Sequence, residues 1–461
     1  MHKYIMRSGM APTDIFDPTH ILLKNSIGNN VGNLVYAWGV YRALTVEDTE
    51  IVPNYYEINT DDADFINETY DAYIIPLADA FRNNFKGELY SMTKLIKKLK
   101  IPVIVIGVGL RAPFGTDLTG FGFDDEVKKF CSAVLDKSAM IGVRGELTAR
   151  YLTNLGFVEG KHHTVIGCPS MYANGKHIKI KDLNLTKDST ISVNSNILSP
   201  AAVLNFLNRT MDEIPNHYFL PQRIQEMKTV YLGEPYIHQQ KNKEMYPTDI
   251  AHPLYKENRV RFMLNAPGWF EFLKGVDLSI GGRLHGNVAA TVAGTPALFL
   301  PHDARTRELT DYHQFTHVWA KDIKPDTDVF DLVSKLDFHS PEKVHQKNFE
   351  HYVEFLDANG LDHIWKDGAD PEVAPLDKIM ENVNVLPPLE CISSLTTEEL
   401  AARYNEYYPV FEKRYDAIRE EVKALRGIKK AYEKLNINVS GDKSNAGMMN
   451  FAKKVYRKLI K

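Results

Sequence analysis

The sequence predicts an α/β protein: two domains built on parallel sheets and facing a cleft, followed by a helical extension. Three observations predict it. Strand-like and helix-like segments alternate through the first half, the order that builds a parallel sheet with helices on both faces. A polar, lysine-rich stretch at 175–188 interrupts the alternation, and a second α/β series begins after it. Apolar runs at 139–143 and 276–280 each lead through glycine and arginine into a helix start. Each therefore presents a cation beyond the carboxyl end of a strand, where α/β sheets bind ligands.

The elements follow in order. Residues 19–23 read as a strand. Leu34, Trp38, Tyr41 and Leu44 then recur at helical spacing and give one apolar face. Residues 72–76 read as a short buried strand and 90–99 as a helix. Residues 101–106 are continuous and β-branched, as in a strand covered on both faces. A helix at 127–136, a strand at 139–143, a helix at 146–155 closed by Gly156 and a strand at 163–166 complete the first domain, 1–175. The second, 176–365, begins with a strand at 190–193. It continues through a helix at 201–207, a strand at 218–220, a helix at 266–274 capped by Asn265, and strands at 276–280 and 297–300. Helices at 330–336 and 341–356 end it. The whole reads as two Rossmann-like domains.

Residues 366–461 read as a linker and a helical extension. The irregular stretch 367–396 holds four prolines. Beyond it Phe411, Tyr415, Ile418, Val422, Leu425, Tyr432 and Leu435 form a heptad-like stripe, with Pro409 kinking or starting the helix. The stripe fits a helix packed back on the domain or a homo-oligomer contact. In 450–461, Phe451, Val455 and Leu459 share a helical face ringed by Lys453, Lys454, Arg457, Lys458 and Lys461. Such a helix either lies peripherally on an anionic membrane surface or is a solvated end.

Composition excludes several classes. A net charge of −4 lacks the basic balance of a general nucleic-acid binder. Cys131, Cys168 and Cys391 have no zinc-like spacing and, being odd in number, frame no disulfide set, which fits a reducing cytoplasm. Residues 1–14 lack the apolar core of a signal peptide, and no run approaches the roughly 20 apolar residues that span a bilayer. Adjacent His162 and His163 point apart in a strand, and no spacing draws His285, His302 and Asp303 together, so no metal site is expected.

The segment Ser279-Ile280-Gly281-Gly282-Arg283-Leu284-His285-Gly286 carries the most chemistry. Arg283 offers planar donors to a carboxylate or phosphate, and His285 can move a proton near neutral pH. The next strand end, Pro301 to Glu308, adds His302, Asp303, Arg305 and Arg307. Arg144 repeats the design in the first domain, so Arg144 and Arg283 together suit an anion held between the domains. At Gly28–Gly32 the glycines let backbone approach a ligand, the helix start offers N–H groups, and Asn29, Asn30 and Asn33 add side-chain partners. That loop matches neither G-x-G-x-x-G nor a Walker loop.

In this order, Gly28–Gly32, Ile141–Glu146, Gly281–His285, Gly294-Thr295-Pro296 and Asp303–Glu308 resemble the polysaccharide pyruvyl transferase family. The likeness covers about residues 20–320, and the Arg-Leu-His turn is its most specific part. The resemblance implies a GT-B-like fold without a cofactor and transfer of a carboxyvinyl unit from phosphoenolpyruvate (PEP) to a sugar, closing a pyruvate ketal. It implies PEP contact by Arg144, Arg283 and His285, with the acceptor across the cleft towards the first domain; Leu284, Gly28, Asn29, Asn33 and Glu308 are further candidate substrate-binding residues. Two departures concern the acceptor side. Many relatives carry glycines where this chain reads Pro76-Leu77-Ala78-Asp79-Ala80-Phe81, and Gly-Asp-Pro where it reads Gly167-Cys168-Pro169.

PEP carries a carboxylate and a phosphate, which suit two arginines. Protonated His285 would deliver a proton to the methylene carbon and the arginines would stabilise departing phosphate; Asp303 and Glu308 are the candidate bases, Glu308 alternatively only capping or orienting the following helix. Two other functions fit the same residues. A nucleotide-sugar glycosyltransferase would place Arg283 on a diphosphate and Glu308 on a ribose. A non-catalytic scaffold would use the C-terminal helices for assembly. The acceptor is expected to be a sugar or glycan, and lipid linkage would give the basic tail a purpose.

Overall fold

The computed structural model describes residues 2–113, 115–236 and 241–434. Among the described residues, those up to 394 form one compact unit and those from 395 another. The first unit begins β1 (His2–Met6), α1 (Pro18–Lys24), α2 (Gly32–Leu44), β2 (Thr49–Pro53), α3 (Ala63–Thr69), β3 (Ala72–Pro76), α4 (Lys86–Ile96), β4 (Val103–Ile106), α5 (Asp124–Leu135), β5 (Ile141–Val143), α6 (Glu146–Asn154) and β6 (His163–Val165). It continues β7 (Ile191–Asn194), α7 (Ala201–Glu213), β8 (His217–Phe219), α8 (Ile224–Leu232), α9 (Pro253–Lys256), β9 (Arg261–Phe262), α10 (Ala266–Lys274), β10 (Leu278–Gly281), α11 (Leu284–Val292), β11 (Ala297–Phe299) and α12 (Ala304–His313). It closes with α13 (Val329–Val333), α14 (Glu342–Ala358), α15 (Pro375–Met380) and β12 (Leu389–Glu390); the second unit holds α16 (Thr397–Lys434).

Two parallel sheets organise the first unit. One has the order β2-β1-β3-β4, and a bridge from Val108 to Val143 sets the β5–β6 pair beside it. The other has the order β11-β10-β7-β8. Each is Rossmann-like, and the pair makes the GT-B-like arrangement expected of the sequence. Every residue of β3 and β4 is buried, as apolar strands covered on both faces must be. Helix α2 lies between the halves, packing on α10 and α11 as well as on its own sheet. Val35, Val40 and Ala43 are buried beside the predicted face of Leu34, Trp38, Tyr41 and Leu44, so α2 is enclosed rather than amphipathic. After α14, Asn359 Oδ1 accepts from the Ala139 and Met140 N–H groups, and His351 meets Thr164 at 2.7 Å. The last long helix of the unit thus returns to the first half.

Three expectations need correction. Residues 19–23 are helical, because Asp17 caps the His20 N–H at 2.8 Å, Pro18 takes the first turn and Asn25 ends the helix with φ 54°. The strand that opens the first sheet is β1, in a segment to which the sequence analysis assigns no element. The stretch 367–396 is not wholly irregular: β12 pairs antiparallel with β9, and Asp377 of α15 holds Arg42 of α2 through Nε at 2.9 Å and Nη2 at 2.6 Å.

Helix α16 begins at Thr397 and runs through Pro409, so the proline does not start it. Phe411, Tyr415, Ile418 and Val422 of the stripe are exposed. The side chain of Tyr432, Leu435 and the basic stretch 450–461 lie outside the described residues. No helix among the described residues is long and apolar enough to cross a membrane.

Candidate active site

The turn from β10 into α11 is built around buried amides. Asn287 Oδ1 accepts from Asn194 Nδ2 at 2.8 Å and from Ser279 Oγ at 2.9 Å, while its Nδ2 donates to the Gly281 carbonyl at 2.8 Å. Asn194 Oδ1 in turn takes the Arg283 N–H at 2.9 Å. Neither asparagine stood out in the sequence, although both lie beside strand ends that did.

This turn aims Arg283 and His285 differently. The Arg283 side chain donates through Nε to the Ser195 carbonyl at 2.8 Å and forms a buried ion pair with Glu226 at 3.2 Å. Glu226 also accepts the Gln222 and Arg223 N–H groups and the Tyr246 hydroxyl. Arg283, read from sequence as the second cation of the anion site, is therefore committed to a structural pair. Truncation to alanine would strand Glu226 as a buried charge. Arg283→Ala should lose about 3–5 kcal/mol in chemical denaturation. Unchanged stability would show that the pair does not hold the turn.

His285 turns towards the first half. Its ring meets Tyr36 edge-on with centroids 5.8 Å apart. A Cβ on Gly32 would lie 2.8 Å from the His285 Cβ and 2.9 Å from Nδ1, so the glycine at the start of α2 makes room for this side chain. His285 Nε2 is sealed without a hydrogen-bond partner. Desolvation, reinforced by Arg144 and Arg305, pushes the imidazole down to about 3 against the pull of Asp79. His285 is thus neutral at pH 7, not the imidazolium expected from sequence.

Arg144, at the end of β5, is 1% exposed. Its guanidinium lies 5.7 Å over the Tyr36 ring, and Nε and Nη2 have no hydrogen-bond partner. No ion pair is formed by Arg144 among the described residues. Cys168 of the Gly-Cys-Pro turn lies near enough for Arg144 to pull its thiol down, against a larger upward push from burial. The neighbouring group there is thus a thiol, not a carboxylate.

The cation that joins Arg144 and His285 from the second half is Arg305, on the first turn of α12. It shares Asp79 with Arg82: both guanidiniums donate to Asp79 Oδ2 at 3.0 Å. Although burial raises the Asp79 pKa, Arg305, Arg82 and Arg144 outweigh it and hold the carboxyl below the usual range. Arg305 also pairs with Asp303 at 3.1 Å and leaves Nε buried without a partner. Asp303, one of two candidate bases, caps α12 through the Thr306 N–H at 2.8 Å. Arg305 was present in the sequence only as one of several polar residues at a strand end, and Asp79 only as a departure from glycine.

Glu308, the other candidate base, reaches from α12 to the start of α6. It accepts the Thr148 N–H at 3.1 Å and the Thr148 hydroxyl at 2.9 Å, while that hydroxyl accepts the Leu110 N–H. A Cβ on Gly109 would lie 3.1 Å from Arg144 Cδ and 3.3 Å from Glu308 Oε1, so this glycine admits both side chains. Burial lifts the Glu308 carboxyl to about 7, with Arg144 and Thr148 opposing. The folded chain holds a proton here that the unfolded chain, at its ordinary 4.5, releases. The stability from this shift is full below the unfolded pKa and lost as pH rises through the folded one. Glu308→Gln should therefore gain stability relative to wild type between pH 5 and 8 in urea denaturation. A difference that does not change with pH would contradict the shift.

The glycine loop sits opposite. Gly28 and Asn29 have φ of 56° and 70° and, with Asn33, line a cavity of about 420 Å³. Their polar groups are largely engaged: Asn33 Nδ2 donates to the Ile27 and Gly28 carbonyls, the Asn29 N–H to Asn25 Oδ1, and the Gly32 N–H to Asn30 Oδ1. The Val31 N–H and the Asn29 carbonyl bond to Gln222 and Ile224 of the second half. The α2 start is thus not the open set of N–H groups predicted, and the loop ties the halves together. Leu284 is buried beneath the turn.

A sequence model of the polysaccharide pyruvyl transferase family matches residues 30–304, more than half of the chain. No curated protein matches it. Similar solved structures include the UDP-GlcNAc 2-epimerase of Methanocaldococcus jannaschii in complex with UDP-GlcNAc and UDP, at 13% identity and TM-score 0.42, covering 77% of this chain and 99% of that one. The Neisseria meningitidis UDP-GlcNAc 2-epimerase bound to UDP-GlcNAc aligns at 10% identity and TM-score 0.42 over 77% of this chain and 100% of its own. MurG of Acinetobacter baumannii aligns at 11% and 0.34, over 78% and 99%.

Proposed function

Because this chain belongs to the polysaccharide pyruvyl transferase family, and so is an enzyme acting on a sugar or glycan acceptor, we propose that its donor is PEP, bound between Arg144, Arg305 and His285. The observation that carries this reading is the set of buried donors without partners: Arg144 Nε and Nη2, Arg305 Nε and His285 Nε2. Buried cationic donors are costly unless something accepts from them, and a carboxylate and a phosphate on one small molecule do so.

The same charges give His285 its part. Arg144 and Arg305 help to keep it neutral. An anionic donor offsets both and raises the imidazole pKa, so that His285 takes up a proton from solvent as PEP binds. A sugar hydroxyl then bonds to C2 while His285 gives its proton to C3, converting the methylene to methyl. The C2–O bond to phosphate breaks, with the arginines stabilising the leaving anion. A second hydroxyl closes the ketal on C2. Of the two hydroxyl protons released, one restores His285 and one leaves with phosphate or solvent. Arg283 is the positioning residue of this scheme, and Glu308 couples α12 to the helix that follows Arg144.

A calorimetric titration with PEP, with UDP-sugars as controls, tests the donor. PEP should bind and UDP-sugars should not. UDP-sugar binding in the absence of PEP binding would move the chain to a nucleotide-sugar donor.

A further inference from the structure

Resting on that reading, we infer that the cavity beside the donor cleft is a second anion subsite, which takes an acceptor sugar bearing a phosphate or a carboxylate. It opens at the ends of β1 and β3 and is lined by Arg7, Lys24, Tyr36, Tyr56, Arg82 and Phe85, among others.

Arg7 carries the inference. Its guanidinium lies 4.9 Å over the Tyr56 ring and 5.6 Å over the Phe85 ring, so aromatic faces hold it in place. Its Nε is buried without a hydrogen-bond partner, and it forms no ion pair among the described residues. Arg82 approaches the same Phe85 ring at 5.3 Å and likewise leaves Nε buried and unpartnered. Two guanidiniums, each with a buried unpartnered Nε, thus converge about one aromatic side chain.

The acids in the lining pair with Arg82 but leave Arg7 unanswered: Asp79 is shared by Arg82 and Arg305, and Glu88 is exposed and forms no ion pair among the described residues. Fixed planar donors of this kind match a carboxylate or a phosphate. Tyr55 and Tyr56, both lining the cavity, have φ of 52° and 58°. Bulky side chains in the left-handed region are costly and persist where the surroundings impose them, typically at binding sites. Tyr55, half exposed in the lining, offers an aromatic face that suits the flat apolar side of a sugar ring. Tyr36 joins the two sites: it lines the cavity and touches His285. A charged acceptor anchored on Arg7 would therefore lie with its hydroxyls towards the donor.

The test is calorimetry on the full chain with glucose 1-phosphate, glucuronic acid and methyl glucoside, each with and without PEP. At least one charged sugar should bind at least about tenfold more tightly than methyl glucoside, the size expected for charge-assisted hydrogen bonds. Preference for glucose 1-phosphate assigns phosphate as the charge, and preference for glucuronic acid assigns carboxylate. Arg7→Gln should remove that preference and leave PEP affinity unchanged. Arg7→Lys should recover part of it, which a misfolded variant cannot do. Equal binding of all three sugars, binding of none, retention of the preference in Arg7→Gln, or one-for-one displacement of the charged sugar by PEP would each overturn the subsite. Charged sugars bound through Arg7 with no PEP binding would overturn the donor assignment and leave the subsite standing.

Discussion

Replacing Arg144 with glutamine should abolish PEP binding without unfolding the protein. Arg144 is a buried cation that forms no ion pair among the described residues, and two of its donor nitrogens are unpartnered. A residue kept for stability would carry the opposite signature, since breaking a buried pair is what destabilises. Removing an unpaired buried charge instead relieves a desolvation cost. The variant should therefore lose at least about a hundredfold in PEP affinity, the scale of a bidentate charge-assisted contact. Its melting temperature should hold or rise. Calorimetry and a thermal melt on the same preparation read both. Retained affinity would remove Arg144 from the donor site, and a large fall in melting temperature would make its role structural.

The second large effect is expected at His285. His285→Ala should lower phosphate release by about a thousandfold, within the usual range for loss of a general acid, with only a modest loss of PEP affinity. The split follows from geometry. In the proposed donor site Arg144 and Arg305 provide most of the contact with PEP, whereas His285 alone brings a proton to the methylene carbon. Near-wild-type turnover in this variant would exclude His285 from the chemistry.

Arg144 and His285 were legible in the sequence because each lies just beyond a strand end with glycines in or beside it, a local pattern with a physical reason. The parallel sheets were legible for the same kind of reason: β3 and β4 are continuous apolar runs between helix-like segments. What was hidden depends on distant partners. Nothing near Arg283 announces that Glu226 will neutralise it, and Asp79 meets Arg305 only because two sheets face each other. The first sheet was misread at its start because the apolar run at 19–23 suits a strand as well as a helix; Asp17 and Pro18 decide in favour of the helix. Helix α2 was underestimated because one apolar face is all that periodicity reports, while Gly32 and Gly39 let the other half and the 169–172 turn close on it.

The most direct measurement is a pH titration of His285 by nitrogen-15 NMR on histidine-labelled protein, with and without PEP, the resonance being assigned by its loss in His285→Gln. Without PEP the ring should stay neutral through pH 7, as its depressed pKa of about 3 requires. With PEP its pKa should rise towards neutrality, because the bound anion offsets Arg144 and Arg305. A His285 resonance unaffected by saturating PEP, or an imidazolium already present at pH 7 in the empty cleft, would contradict the assignment of this cleft as the donor site.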